Sequence, residues 1–181
     1  MAEKLVLIGA GGHADSVLDV IDEINFRSSV VGDSWEVVKK VDDDAALEEL
    51  ARQYECFHLA LGDITKRHKI YYHMSAWNVA FPQIESPKAV ISPTALISLG
   101  VFVGHNAVVN ANARVEKCCI INTGAIIEHG AVIEPFCHIA PGAIVLGGAR
   151  VGTCSFVGAG AIVPPGRTVP SHTTIKAGSV F

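Results

Sequence analysis

Ile91-Ser92-Pro93-Thr94-Ala95-Leu96-Ile97-Ser98-Leu99-Gly100-Val101-Phe102-Val103 begins a stretch that keeps one rule up to Phe181: every sixth residue is apolar. The series runs Ile91, Ile97, Val103, Val109, Val115, Ile121, Ile127, Ile133, Ile139, Val145, Val151, Val157, Val163, Val169, Ile175 and Phe181, with no gap. Four residues after each member the side chain is usually small, as at Ala95, Ala107, Ala113, Cys119, Ala125, Ala131, Cys137, Ala143, Ala149, Ser155 and Ala161. An amphipathic helix needs a period of about 3.6 and a simple strand a period of about 2, so neither accounts for a strict six. A parallel β-helix does, because each short strand turns one aliphatic side chain inward and a small residue fits the next corner. The repeats make about five three-sided coils, a prism roughly 25 Å tall at β-sheet spacing.

Outward from the repeats, the composition narrows the class. The chain has 181 residues, half of them apolar, which is enough for a sizeable core in one or two small domains. A net charge of −4, with no basic run interleaved with aromatics, argues against nucleic acid as a partner. The apolar run Leu5–Ala10 is too short for a leader or a membrane span, so the expectation is a cytoplasmic protein without a membrane partner. Cys56, Cys118, Cys119, Cys137 and Cys154 lack metal-ligand spacing, and the last four fall at hexad corners where small side chains fit. They read as structural thiols, and no metal is expected.

Residues 4 to about 85 read as alternating strands and helices. Leu5–Ile8 is an apolar run ending in Gly9-Ala10-Gly11-Gly12-His13, after which Val17, Leu18 and Ile21 have helical spacing. A second run, Ser29–Val31, stops at Gly32-Asp33. A helix follows over Asp44–Gln53, and a third run, Phe57–Leu61, stops at Gly62-Asp63. Ile64–Trp77 reads as helical, and Val79–Ile84 as a last strand before Pro87 and Pro93. This order predicts a small parallel sheet with its ligand crevice beyond the carboxyl ends of the strands. Gly9, Gly11, Gly12, His13, Asp33 and Gly62 converge there, where glycines admit a ligand close to the backbone and a helix start offers N–H groups to a phosphate. The motif lacks the third glycine of a dinucleotide fingerprint, and a tight packing turn without ligand is the alternative to this ligand-binding reading.

Within the repeats, His105 and His129 occupy the same hexad position, two after an inward aliphatic. His105 has no polar companions in sequence and reads as a solvated corner residue. His129 stands among Glu128, Asn122 and His138, which favours a functional role. His138 follows His129 by nine residues, half a coil, so the two lie on different faces of one chain and would meet only across a subunit boundary.

Gly9-Ala10-Gly11-Gly12-His13, Ile121-Asn122-Thr123, Ile127-Glu128-His129 and Phe136-Cys137-His138-Ile139-Ala140-Pro141-Gly142-Ala143 together resemble the bacterial hexapeptide-repeat sugar acetyltransferases. That family includes sialic acid O-acetyltransferases and N-acetyltransferases of UDP-linked 4-amino sugars. The resemblance covers nearly the whole chain. It implies an α/β Rossmann-like nucleotide-sugar-binding domain over residues 1–86 and an all-β left-handed parallel β-helix over residues 87–181. The activity it implies is transfer of the acetyl group of acetyl-CoA to the amino group of a UDP-linked sugar. His129 is then the general base, with Glu128 beside it. His13 reaches the same site from the first domain, and Asn122 lies next to the acceptor. His138 and the backbone at Gly147 contact the thioester, and Ala177 and Gly178 flank the pantetheine. An imidazole with a pKa of about 6.5 suits removal of a proton from the attacking amine or hydroxyl. The sequence shows no serine or cysteine nucleophile with a neighbouring base, which favours direct transfer.

Two departures stand out. Relatives often carry an acidic residue directly after the catalytic histidine, where this chain has Gly130. They also usually carry a glycine-proline tail after the last coil, which is absent from this sequence; the expectation is a tail outside it or a cofactor cleft built differently. Outward strand positions include Val90, Leu96, Phe102, Val108, Ile120, Ile126, Val132, Ile144 and Phe156, too much apolar surface to leave in water. A homotrimer with sites between subunits is what the resemblance implies. O-acetylation of a sialic-type sugar and a catalytically dead trimeric scaffold stand as the alternatives.

Overall fold

The computed structural model describes residues 2–28, 34–41 and 46–181. The chain begins with β1 (Glu3–Ile8), α1 (Gly12–Ser28), β2 (Trp35–Val41), α2 (Leu47–Gln53), β3 (Cys56–Leu59) and α3 (Ile64–Met74). The three strands form a parallel sheet in the order β2-β1-β3. β1 is central and its Leu5, Val6, Leu7 and Ile8 are buried, as a continuous apolar run requires.

The expected alternation is present, with local differences. The run Ser29–Val31, the turn at Gly32-Asp33 and the start of the Asp44 helix lie outside the described residues. The second strand is the segment Trp35–Val41, which carries no apolar run. As an edge strand it is mostly half-exposed, so polar side chains alternate along it. α3 ends at Met74 rather than Trp77. Val79–Ile84 is not a strand of this sheet: only Ala80 bridges to Cys56, and Pro82 has no N–H to continue the ladder. Ile84-Glu85 instead pairs with Phe102-Val103 in the first coil of the solenoid.

From there every coil repeats. Two-residue strands pair in parallel with the strand eighteen residues on, as Ile120 with His138 and Ile126 with Ile144. Three sheets of six, five and five strands result. Between strands, one residue in six adopts a left-handed backbone, in an unbroken series from Gly100 to Gly178 that includes Asn106, Asn112, Cys118, Phe136, Cys154 and His172. The sixfold apolar series fills the interior with its small partners, Ala and Cys included. All five thiols are free, and Cys118, Cys119 and Cys137 are buried, in keeping with their structural reading.

The first domain sits on one face of this prism. Ile84, Phe102 and Ile120 point outward from the sheet that also holds His138, yet they are buried against Leu5, Leu7, Ala14 and Val17. Phe102 and Ile120, expected on the subunit surface, are therefore covered by the chain's own α/β domain. The second sheet presents Val90, Val108, Ile126, Ile144 and Ile162 in one apolar column with no such cover, Val90 being 63% exposed. His105 also departs from expectation. Its Nδ1 lies 2.7 Å from Ser86 Oγ and its Nε2 2.8 Å from Asp19 Oδ2, so it ties the solenoid to α1.

Ile133 lies in the interior, completely buried. Ile133→Ala is expected to lower stability by about 2–5 kcal/mol, because the coils above and below cannot collapse into the gap. Chemical denaturation followed by circular dichroism measures it.

Candidate active site

Two groups of residues form on each chain. The first lies where the α/β crevice meets the solenoid. At the end of β1, Gly9 takes a φ of 129°, and a side chain there would strike the Ala60 carbonyl. Only glycine suits that turn. Gly11 and Gly12 have open space where a Cβ would be, leaving room above the backbone at the start of α1. His13 sits in the first turn of that helix, and a Cβ on Gly62, beyond β3, would touch its Cβ at 3.8 Å. The His13 ring stands edge-on to Phe102, with centroids 5.0 Å apart, and 6.3 Å from the His138 ring.

The hydrogen bonds around His138 define its tautomer. Asn122 Oδ1 accepts from the Thr123 N–H at 2.8 Å, which turns Asn122 Nδ2 toward His138 Nε2 at 3.3 Å. The other ring nitrogen, Nδ1, lies 3.4 Å from the Gly62 carbonyl. A carbonyl only accepts, so Nδ1 carries the proton and Nε2 accepts from Asn122. Burial, with the positive Arg67 nearby, pushes the His138 pKa down to about 4. His13 is pushed to about 3, by burial first and then by His58, His138 and Arg67. Its Nε2 is buried without a hydrogen-bond partner. His58 on β3 is also held down, to about 4, chiefly by burial, and its Nδ1 meets the Pro82 carbonyl at 3.1 Å.

The second group lies at a corner beyond the neighbouring sheet. His129 follows Ile127, and Gly147 follows Val145 one coil above. A Cβ at Gly147 would fall 2.6 Å from His129 Cε1 and Nε2, so the imidazole lies directly against that glycine backbone. His129 is exposed. Gly130 adopts a left-handed φ of 64°, as do the residues at the equivalent corners from Gly100 to Gly178. Glu128 Oε2 accepts from the backbone N–H of His129 at 3.3 Å, so that carboxylate holds the main chain and not the ring.

The structure thus gathers Gly9, Gly11, Gly12, His13, Gly62, Asn122 and His138 around the crevice, and pairs His129 with Gly147 elsewhere. Ala177 and Gly178 follow Ile175, at the top of the sheet that holds His138, and the Gly178 N–H donates to the Ala159 carbonyl. Asp33 lies outside the described residues. Sequence reasoning passed over His58 and Arg67. Arg67 is 1% exposed and was hidden inside a helix, although its spacing with Ile70, Tyr71 and Met74 puts it on the buried stripe.

His13, His58 and His138 stay neutral in the fold but protonate readily once unfolding exposes them. Below about pH 6.5 the unfolded chain therefore gains protons that the fold does not. Stability should be complete above that pH and fall as the pH drops toward the folded values of about 3 to about 4. The loss should approach about 1.4 kcal/mol per pH unit for each such histidine, measured as denaturation midpoints across a pH series.

Residues 4–74 match the family described as the PglD N-terminal domain. No curated protein sequence matches the chain. Among solved structures, PerB from Caulobacter crescentus in complex with CoA and GDP-perosamine is 32% identical, with a TM-score of 0.87 over 98% of this chain and 88% of that one. A mutant of perosamine N-acetyltransferase from Caulobacter crescentus, also with CoA and GDP-perosamine, is 30% identical over the same shares, with a TM-score of 0.88. The acetyltransferase domain of PglB from Neisseria gonorrhoeae FA1090, in complex with acetyl coenzyme A, is 29% identical, with a TM-score of 0.87 over 100% of this chain and 91% of that one.

Proposed function

The chain belongs to the PglD-like family of hexapeptide-repeat sugar acetyltransferases, and on that footing we propose that it acetylates the amino group of a UDP-linked 4-amino sugar. It is an acetyl-CoA-dependent sugar N-acetyltransferase. The observation that most supports this reading is the likeness along nearly the full chain to PerB, whose structure holds CoA and GDP-perosamine together.

The nucleotide occupies the crevice beyond β1, where Gly11 and Gly12 leave space and the start of α1 offers N–H groups. A cavity of about 410 Å³ lies between the end of β2 and α2, lined by Lys39, Lys40, Val41 and Glu49 among others. Its lysines suit phosphate charge. Asn122 and His13 face the sugar. His129 accepts the proton of the sugar amine as the nitrogen attacks the thioester carbonyl. The backbone at Gly147 steadies the developing oxyanion. The C–S bond then breaks, the sulfur leaves as CoA thiolate and takes up a proton, and the amide remains on the sugar. Acetyl-CoA acts as co-substrate, with His138, Ala177 and Gly178 along its path, and no step calls for a metal.

His129 and His138 lie on different sheets, so one site draws them from two chains. A homotrimer supplies this arrangement, and the uncovered apolar column from Val90 to Ile162 supports it. Ile144→Glu, in the middle of that column, is expected to sediment as a smaller species than the parent protein and to lose turnover. An unchanged sedimentation coefficient would remove this face from the interface.

Purified protein with acetyl-CoA and UDP-4-amino sugars should release CoA thiol. His129→Ala should lower kcat by about 100-fold or more while CoA binding by calorimetry is kept. A mutant with unimpaired turnover would exclude His129 as the base. GDP-perosamine in the related structures favours a GDP-linked amino sugar as the second acceptor to assay. Sialic-type sugars in the same panel test O-acetylation, and a silent panel with intact CoA binding would point to the scaffold alternative.

A further inference from the structure

Among the described residues, Arg67 is the largest fully buried side chain, and no carboxylate pairs with it. Its partners are backbone carbonyls, drawn from both domains. Nη1 donates to Leu61 at 2.6 Å and to Gly62 at 3.3 Å, on the lip of the crevice. Nε donates to Cys118 at 2.9 Å, and Nη2 to Phe136 at 2.9 Å and Cys137 at 3.5 Å, on two successive coils. A buried guanidinium without a counter-ion carries a large desolvation cost, and carbonyl dipoles offset only part of it. Apolar packing would join the domains at lower cost. Two of these contacts border one residue: Cys137 precedes His138 in the chain, and Gly62 is the acceptor of His138 Nδ1–H.

We infer that Arg67 is the positioning residue of the transfer site, holding the Gly62 lip against the Cys137 peptide so that His138 keeps its Nδ1–H tautomer and turns Nε2 toward Asn122. The inference rests on the transferase reading above for the use of His138, but its geometry is independent of the acceptor. The fork of the guanidinium matters, because it spans carbonyls on both domains at once. An ammonium is a point donor on a thinner stem and cannot. The charge adds to the effect. The titratable groups around His138 are His13 on α1 and Arg67 on α3; burial first, with the Arg67 cation adding to it, favours the neutral form of both imidazoles.

The test is the long-range 1H–15N spectrum of the imidazoles in the full chain, with the His138 signals assigned by their loss in His138→Gln. In the wild type, His138 should show a neutral Nδ1–H tautomer from about pH 7.5 to about pH 5. In Arg67→Lys the same signals should move to mixed tautomers. In the transferase assay kcat should fall by about 10- to 100-fold with the acetyl-CoA KM within about twofold. A folded Arg67→Lys with the wild-type His138 spectrum would overturn the inference. Should that variant not fold, the wild-type spectrum decides: an Nε2–H tautomer, or protonation near pH 6.5, overturns it. The spectrum needs no turnover, so a protein that acetylates nothing but keeps the tautomer would refute the transferase reading and leave the role of Arg67 standing.

Discussion

Each residue of the solenoid lies over the residue eighteen positions before it, because the backbone closes one circuit in three hexads and hydrogen-bonds to the next. That registry governs the interior first. An inward aliphatic at every sixth position forms three continuous columns, and a small side chain at the following corner lets the chain turn without opening a void. The registry governs the surface equally. His129 is aimed at Gly147 because the two are eighteen apart, and only a residue without a side chain leaves the imidazole its place. A corner side chain such as His129 is thus directed by the coil stacked on it.

The α/β domain uses the same registry in another way. It lies on one flat face, over Phe102 and Ile120, and reaches His138 farther along that sheet through the Gly62 carbonyl. The crevice beyond β1 and β3 therefore opens onto the two successive coils that bear Asn122 and His138. Apolar burial supplies the adhesion, while the carbonyl cage of Arg67 supplies the register between the domains. A hydrophobic contact alone tolerates sliding, whereas a fork with carbonyl partners on three segments does not.

The repeat and the strand-turn-helix at Gly9–His13 were legible in the residues, because periodicity and glycine turns are local properties, whereas the structure joins Asn122 to His138 and sets His129 apart, against Gly147. Trp35–Val41 was not legible: an edge strand exposed on one side has no continuous apolar run. Nor was the fate of Val79–Ile84, whose pairing partner lies in the first coil rather than in the neighbouring sheet. His105 looked solitary because Asp19, its partner, is 86 residues away in sequence.

By itself, then, the sequence determined the coil. Each hexad carries its own instructions for one inward side chain and one corner, and the sum of such local choices is the prism. It also determined which chemistry-bearing residues stand at the corners. Only the tertiary structure decided that Phe102 and Ile120 are covered by the chain's own first domain, that Glu128 holds a peptide instead of the ring of His129, and that a buried arginine joins the two halves of the site. The reason is physical: the cover over Phe102 and Ile120 and the arginine bridge depend on contacts between segments from about 50 to over 100 residues apart, whose energies follow from desolvation and packing and leave no periodic mark in the chain, and the Glu128 contact depends on a side-chain rotamer.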